Sequence, residues 1–585
     1  MSRPALLRSL MAVAIAMSIA SNAGAQQQIS SKVPLAFNRF YDTAELFDAM
    51  ARIAAAYPEL VTVTEIGKSA EGRPMLVATL NNPATGRDID KPAMWIDGNI
   101  HGNEIQAAET VLYSLWYLAS GYGQVADVTE LVDRCSFYFM PSVNPDGRAS
   151  WFRDTHSSHS SRTGRAPVDD DRDGVCDEDA PEDLDGDGSV GLMWRKDPNG
   201  THRRSVDDPR VFERVDPEPL PDGGVRRGDW SMAGSEGIDN DGDGRTNEDS
   251  PGSYDMNRNW PSDWQPEHLQ NGAGPWPLCW PETRCIADFI MAHPNIAAVQ
   301  SYHNAGGMIL RGPGHPSRDG EYSAGDRSVY ERIQEAGEEM LPFYKAMVIH
   351  SDLYPVRGGF VNWTAEGLGI VSLTNELWSD KRILQSGSDP DDAARMRWSD
   401  RMLLGQTFSD WKEVPHPEFG TVLVGGGDKW SSRIPPPFML EEECHRNFAF
   451  TMFHAAHMPL VRFAQSTAKP LPGGLWQIDV ELANDRLIPS RTARAAQRRI
   501  GLADSLTCTG EGVEVVASGR IDDVVDRTID PVRHQPWRLW LESGVPSLSS
   551  AAYRFIVKAP EGAMVKLDYA AEKAHDLHAE VLLAK

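Results

Sequence analysis

Cysteine is scarce, six in 585 residues, which excludes a small scaffold held by disulfides. Basic residues are the minority: Lys and Arg number 57 against 84 Asp and Glu, a formal charge of -27. A surface of that sign repels phosphate backbones, so nucleic acid is not an expected partner. After the N-terminal stretch, no segment approaches the roughly 18 consecutive apolar residues that a bilayer span needs. What is present is ordinary globular material: 41% hydrophobic, 24% charged and 8% aromatic, enough for a large core and an accessory domain.

The chain opens like a processing signal. Arg3 and Arg8 precede an apolar stretch from Leu10 to Ala20, and Ala23-Gly24-Ala25 offers a small-x-small cleavage site. Residues 1–25 are therefore predicted to be a signal peptide and the mature protein to be secreted or periplasmic. All six cysteines fall in the exported part, where disulfides are allowed, and Cys279 and Cys285 are close enough to bridge locally.

Helical and strand-like stretches alternate between Ala36 and Trp411. Leu46, Met50, Ile53 and Ala54 recur at helical spacing, whereas Val61 to Ile66 and Met75 to Leu80 read as strands. The run ending at Gly98 leads through a turn into an apolar helical stretch from Glu104 to Leu118. Further β-type runs are Cys135 to Met140, Ala297 to Tyr302 and Gly369 to Thr374. The predicted class is α/β, a mixed central β-sheet flanked by helices, in a catalytic domain over residues 36–415. Residues 169–249 lose the periodicity and read as a long surface insertion rich in Asp and Gly. A connecting segment is assigned to residues 416–458 and a smaller C-terminal β-sandwich to 459–585.

His101-Gly102-Asn103-Glu104 stands where the strand ending near Gly98 turns into a helix, and the C-terminal ends of such strands are where sites collect. A His and a Glu three apart on that turn can reach one ion. Downstream follow, in order, Asn144-Pro145-Asp146-Gly147, Trp194-Arg195-Lys196, Asn257-Arg258-Asn259-Trp260, Ser301-Tyr302-His303, Tyr354, Gly358-Gly359, Asn362-Trp363 and Thr374-Asn375-Glu376. This ordered set resembles the zinc carboxypeptidases of the pancreatic type, over roughly Tyr41 to Trp411.

The resemblance implies one catalytic zinc held by His101, Glu104 and His303, leaving a fourth position for water, with Glu376 as general base. It further implies that Arg195 polarises the scissile carbonyl, that Asn257 and Arg258 grip a terminal carboxylate, and that Tyr354 closes over it. The resemblance also implies that Val361 lies at the bottom of the pocket for the leaving residue, where an apolar side chain argues against a purely basic specificity. Asn103 departs from the pancreatic pattern, which has a basic residue, and matches the regulatory branch of the family.

Three Asp-x-Asp-x-Asp-Gly runs stand in the insertion: Asp169, Asp171 and Asp173; Asp183, Asp185 and Asp187; Asp239, Asp241 and Asp243, the last followed by Glu248 and Asp249. Alternate carboxylates with Gly at the sixth position let a loop wrap oxygens around a hard cation such as Ca²⁺. None has Glu at the twelfth position, so they resemble the calcium loops of thrombospondin-type or dockerin repeats rather than EF-hands. The resulting expectation is a secreted zinc metallocarboxypeptidase acting on peptide or protein C-termini. The alternatives are a cell-wall-trimming or deacylating hydrolase of the same fold, or a silent calcium-stabilised binding protein.

Overall fold

A computed structural model describes residues 29–584 apart from 170, 222–223, 523–525 and 533. The predicted signal peptide lies outside the described residues. A capping box opens the first helix, Thr43–Ala56: the Asp42 carboxylate accepts from the Glu45 amide while Glu45 accepts from the Asp42 amide. Eight strands form the central sheet: β1 Val61–Lys68, β2 Pro74–Leu80, β3 Ala93–Gly98, β4 Ser136–Met140, β5 Ile296–Asn304, β6 Met308–Arg311, β7 Lys345–Val348 and β8 Val371–Leu377. Their spatial order is β1-β2-β4-β3-β5-β8-β6-β7.

The middle four strands, β4, β3, β5 and β8, are mutually parallel. Helices cover the sheet, so β3, β4 and β5 are buried along their whole length. That is why they read as apolar runs without alternation. Because β3, β5 and β8 point the same way, the residues following Gly98 and the last residues of β5 and β8 gather at one end. β8 continues through Glu376 rather than stopping at Thr374, and pairs it opposite His303 of β5.

Two regions are more built than the sequence pattern suggests. Strands Leu192–Lys196, His202–Arg204, Phe212–Arg214 and Trp230–Ser235 of the insertion join Phe408–His416 and Gly420–Gly427 in a six-stranded antiparallel sheet. The insertion is therefore not surface loop throughout. Residues 416–458, expected to connect domains, carry the helix Pro437–Ala456, which packs on Ile105–Gly121. Its Asn447 receives the Tyr302 hydroxyl at 3.2 Å on its carbonyl and the Asn375 amide at 2.8 Å on its side chain. Those contacts make it part of the domain built on the central sheet.

Residues 461–582 form two four-stranded antiparallel sheets around their own apolar cluster. Lys573 donates to the carbonyls of Pro294 and Ile296, and Thr492 to that of Gly369. The sandwich thus touches the starts of β5 and β8, opposite the end where His303 and Glu376 lie. All six cysteines are free. Cys279 accepts from the Asn259 side-chain amide and Cys285 donates to the Glu282 carbonyl, so the local bridge anticipated between them does not form. Among the described residues no helix is long and apolar enough to cross a membrane.

Candidate active site

His101 and Glu104 sit on the turn after β3, and His303 is the penultimate residue of β5. The His101 Nδ1 lies 2.8 Å from Glu104 Oε1 and 3.2 Å from His303 Nδ1, which is itself 3.0 Å from Glu104 Oε2. All three side chains are buried. Protons on both Nδ1 atoms would serve the two carboxylate oxygens but set two N–H groups against each other at 3.2 Å, and a single proton leaves one contact unmade. A cation accepts all three, and the mixed nitrogen and oxygen set suits zinc. Burial opposes ionisation of Glu104, but the two imidazoles outweigh it and hold its carboxyl well below the usual range.

The far nitrogen of His101, Nε2, is 3.3 Å from Asp255 Oδ1 and 2.9 Å from the Arg162 guanidinium. With Nδ1 on a cation, Nε2 carries the proton and can donate only to Asp255, the partner that sets ring orientation. Asp255 is kept well below its ordinary pKa, against the penalty of burial, by Arg258, His101 and Arg162.

A cavity of about 220 Å³ opens on this triad. Of the residues expected at the site, His101, Glu104, Asn257, Arg258, His303, Tyr354, Val361 and Glu376 all line it. Asn257 is held by the Phe360 amide on Oδ1, and its own carbonyl receives Arg258 Nη1 at 2.8 Å. Tyr354 stands half-exposed at the mouth. Desolvation, then the neighbouring charge of Glu104, push Glu376 up to about 7.

Arg195 is the correction. It lies on Leu192–Lys196 in the antiparallel sheet, 45% exposed, 3.9 Å from Asp197, and is not among the residues lining the cavity. The pattern Trp-Arg-Lys put it there by sequence order, but that strand pairs with Trp230–Ser235 and Gly420–Gly427 and points its arginine elsewhere. Arg162 occupies the cavity instead, with guanidinium nitrogens 3.3 Å from Glu104 and 3.6 Å from Asp255. The device that brings it there is partly legible. Gly102 accepts no Cβ because the carbonyl of Ser161 would stand 2.3 Å away, and its amide donates to the Arg162 carbonyl. Asn144 both caps the helix Pro145–Arg153 and donates to the Thr163 carbonyl.

Two further residues were not anticipated. Asp255 had one weak signal, its place two residues before Asn257. Arg433 had none: it comes from beyond the expected end of the catalytic domain, contacts the Asn304 carbonyl and sits 3.4 Å from Glu104 Oε1.

Of the acidic residues expected to bind calcium, Asp169, Asp171 and Asp173 form one group whose ligand atoms lie within 4.8 Å of one another. Asp183 and Asp185 join Glu236 in another. In the Asp239, Asp241 and Asp243 loop, Gly244 adopts a φ of 91°, and the Asp239 carboxylate takes its amide. That left-handed conformation explains the sixth-position glycine. Asp187 accepts the Ser189 amide in the same way that Asp243 accepts that of Arg245.

A family model described as zinc carboxypeptidase matches residues 46–180 and 221–396, and one described as a domain of unknown function matches residues 460–582. Carboxypeptidase A2 of Rattus norvegicus is 24% identical over 341 residues, 57% of this chain and 61% of the relative. Carboxypeptidase B of Astacus astacus is 36% identical over 115 residues, 20% of this chain and 36% of the relative. The chain thus spans about three fifths of the first relative's length and just over a third of the second's. The solved carboxypeptidase A from Helicoverpa armigera is 17% identical, covering 74% of this chain and 76% of that one at a TM-score of 0.44.

Proposed function

The chain belongs to the zinc carboxypeptidase family, and on that premise we propose that it is a secreted metallocarboxypeptidase that removes C-terminal residues from peptides. The observation that carries this reading is the meeting of His101, Glu104 and His303 with Glu376, Arg162, Asn257 and Arg258 around one cavity.

His101, Glu104 and His303 would hold a zinc ion, which when bound supplies Lewis acidity and lowers the pKa of a coordinated water to about 7. Glu376, opposite His303 across the β5 and β8 pairing, takes the proton from the attacking water and passes it to the leaving amine. Arg162 turns its guanidinium to the carbonyl oxygen as negative charge develops there, a role that needs a fixed donor inside the cavity. Asn257 and Arg258 take the substrate's terminal carboxylate, Arg258 through paired N–H donors. An internal peptide bond offers no such charge and would leave that arginine unmatched. Tyr354 at the mouth closes over the bound end. Val361, Leu310, Ile349 and Val356 give the cavity an apolar wall, and this wall favours an apolar terminal residue over a charged one, whose desolvation against it is costly.

A pair of substrates tests this directly. A peptide ending in Phe or Leu with a free carboxylate is cleaved by the metal-loaded protein, and the C-terminally amidated peptide is not. Equal kcat/KM on both, or no cleavage of either by protein containing one zinc per chain, would remove the carboxypeptidase reading.

A further inference from the structure

The insertion carries a second convergence of ligand atoms, built only from oxygen. Asp169, Asp171 and Asp173 form one close group; Asp171, Glu178 and Asp241 form another; Asp179, Asp241 and Glu248 a third, each with ligand atoms within 4.8 Å of one another. Asp171 and Asp241 are shared, so the three groups are continuous. They join the first Asp run to the third across 70 positions of sequence, from 169 to 239.

Clustered acids alone do not make a site, since exposed ones repel harmlessly in water. Asp179 is different. It is fully buried; its Oδ1 receives the Asn240 side-chain amide at 3.1 Å, and its Oδ2 has no donor. Both carboxylate oxygens of Glu248 are also buried without a hydrogen-bond partner. Glu248 is pushed up by desolvation and then by Asp179, Asp243 and Asp241. The group formed by Asp183, Asp185 and Glu236 shows the contrast: Glu236, equally buried, is taken up by the backbone amides of Leu184, Asp185 and Gly191, and Lys412 stands 3.5 Å from Asp185. Asp185 Oδ2, buried there without a hydrogen bond, faces that ammonium, so the group already holds a cationic charge. The Asp179 group does not, and a cation is what such a set lacks.

Its position adds a consequence. The two ends of the insertion leave the catalytic cavity side by side, bridged at Gly164 with Tyr254, by the Gly252 amide on the Ala166 carbonyl, and at Asp179 with Asp249. Arg162 stands at the near end of one chain and Asp255 at the near end of the other. We propose that Asp179, Asp241 and Glu248, with Asp171 and Glu178 beside them, bind a calcium ion, and that this ion clasps together the paired segments that present Arg162 and Asp255 to the cavity. Calcium fits because every donor is a hard oxygen and no nitrogen or sulfur is offered, which disfavours zinc, nickel and copper. Magnesium retains its waters and demands octahedral order, which a cluster of shared carboxylates does not provide. The binding does not depend on the peptidase reading; only the effect on Arg162 and Asp255 rests on it.

The test uses the full-length zinc-loaded protein, freed of calcium on a chelating resin too weak to strip the catalytic metal. Titration with calcium chloride alone gives saturable heat and raises the melting temperature, while magnesium chloride at the same concentration does not. Substituting Asp179→Asn together with Glu248→Gln weakens calcium binding at least about tenfold. Asp241→Asn, on a more exposed residue, does the same should the double variant fold poorly, and Asp183→Asn leaves the affinity unchanged. Calcium also protects residues 165–255 from limited proteolysis and lowers KM without changing zinc content. Absence of saturable binding up to millimolar calcium would overturn the site, as would loss of binding in Asp183→Asn with retention in Asp241→Asn. Binding with unchanged proteolysis and KM would overturn the clasp.

Discussion

The ends of β3, β5 and β8 and the Asp-rich insertion both gather carboxylates, yet the two places treat them in opposite ways. At the sheet end Glu104 and Asp255 each have basic or imidazole neighbours: Glu104 faces His101 and His303, and Asp255 faces Arg258 and His101. The turn after β3 and the end of β5 bring the three ligand side chains to one point, and mixed donors select a borderline metal. In the insertion the acids face one another on loops, and the buried Asp179 receives one side-chain donor, Asn240, among the described residues. The worth of a carboxylate is decided by its neighbours and its distance from water, not by its kind.

The comparison is broken or sharpened by four measurements. The largest effect belongs to Glu376→Gln, which removes the carboxylate proposed to move the water's proton while keeping its shape. It lowers kcat by about 10²–10⁴-fold with metal content unchanged; near-normal kcat would refute the base assignment. Next comes a matched pair of arginines. Arg162→Met, inside the cavity, lowers kcat by about 10²–10³-fold, whereas Arg195→Met on the exposed strand leaves steady-state kinetics as they were. The reverse outcome would restore the role that the Trp-Arg-Lys pattern suggested.

Third is stability in the catalytic core. Glu109 and Arg148 are an ion pair at 2.7 Å with both side chains fully buried. Glu109→Leu strands the guanidinium and costs about 3–5 kcal/mol in denaturant unfolding, and a loss below about 1 kcal/mol would mean the site relaxes or admits water. The smallest effect is in the sandwich. Asp479 is held by Arg554 at 2.6 and 2.9 Å and by Arg527 at 3.2 Å. Burial acts against its ionisation, but these arginines keep its pKa below the ordinary value. A depressed carboxyl stabilises the fold above its unfolded pKa, 3.8, and loses that contribution as pH falls through the lower folded value. Acid titration of unfolding in Asp479→Asn should therefore be flatter than in the parent below that pH, by about 1 kcal/mol or less.

Much of this was legible beforehand because short patterns carry their own geometry. A strand followed by His-Gly-Asn-Glu announces a turn at a strand end, and buried parallel strands betray themselves as unbroken apolar runs. Arg162, Asp255 and Arg433 were not legible, or barely so. Each reaches the cavity from a segment with no periodicity of its own, positioned by contacts such as Gly102 with Arg162 and Asn304 with Arg433. Arg195 failed for the complementary reason: order along the chain matched, but the strand carrying it was recruited into another sheet.

The amino-acid sequence by itself determined most strands of the central sheet, its mixed α/β class and the residues able to ligate or transfer a proton, since these follow from side-chain chemistry and local spacing. Only the tertiary structure decided which arginine entered the cavity, which acids were left buried without donors, and that two ends of an insertion 70 positions apart share one cluster. Those outcomes depend on packing between distant segments, where burial sets the cost of every charge and no local pattern records which neighbour will pay it.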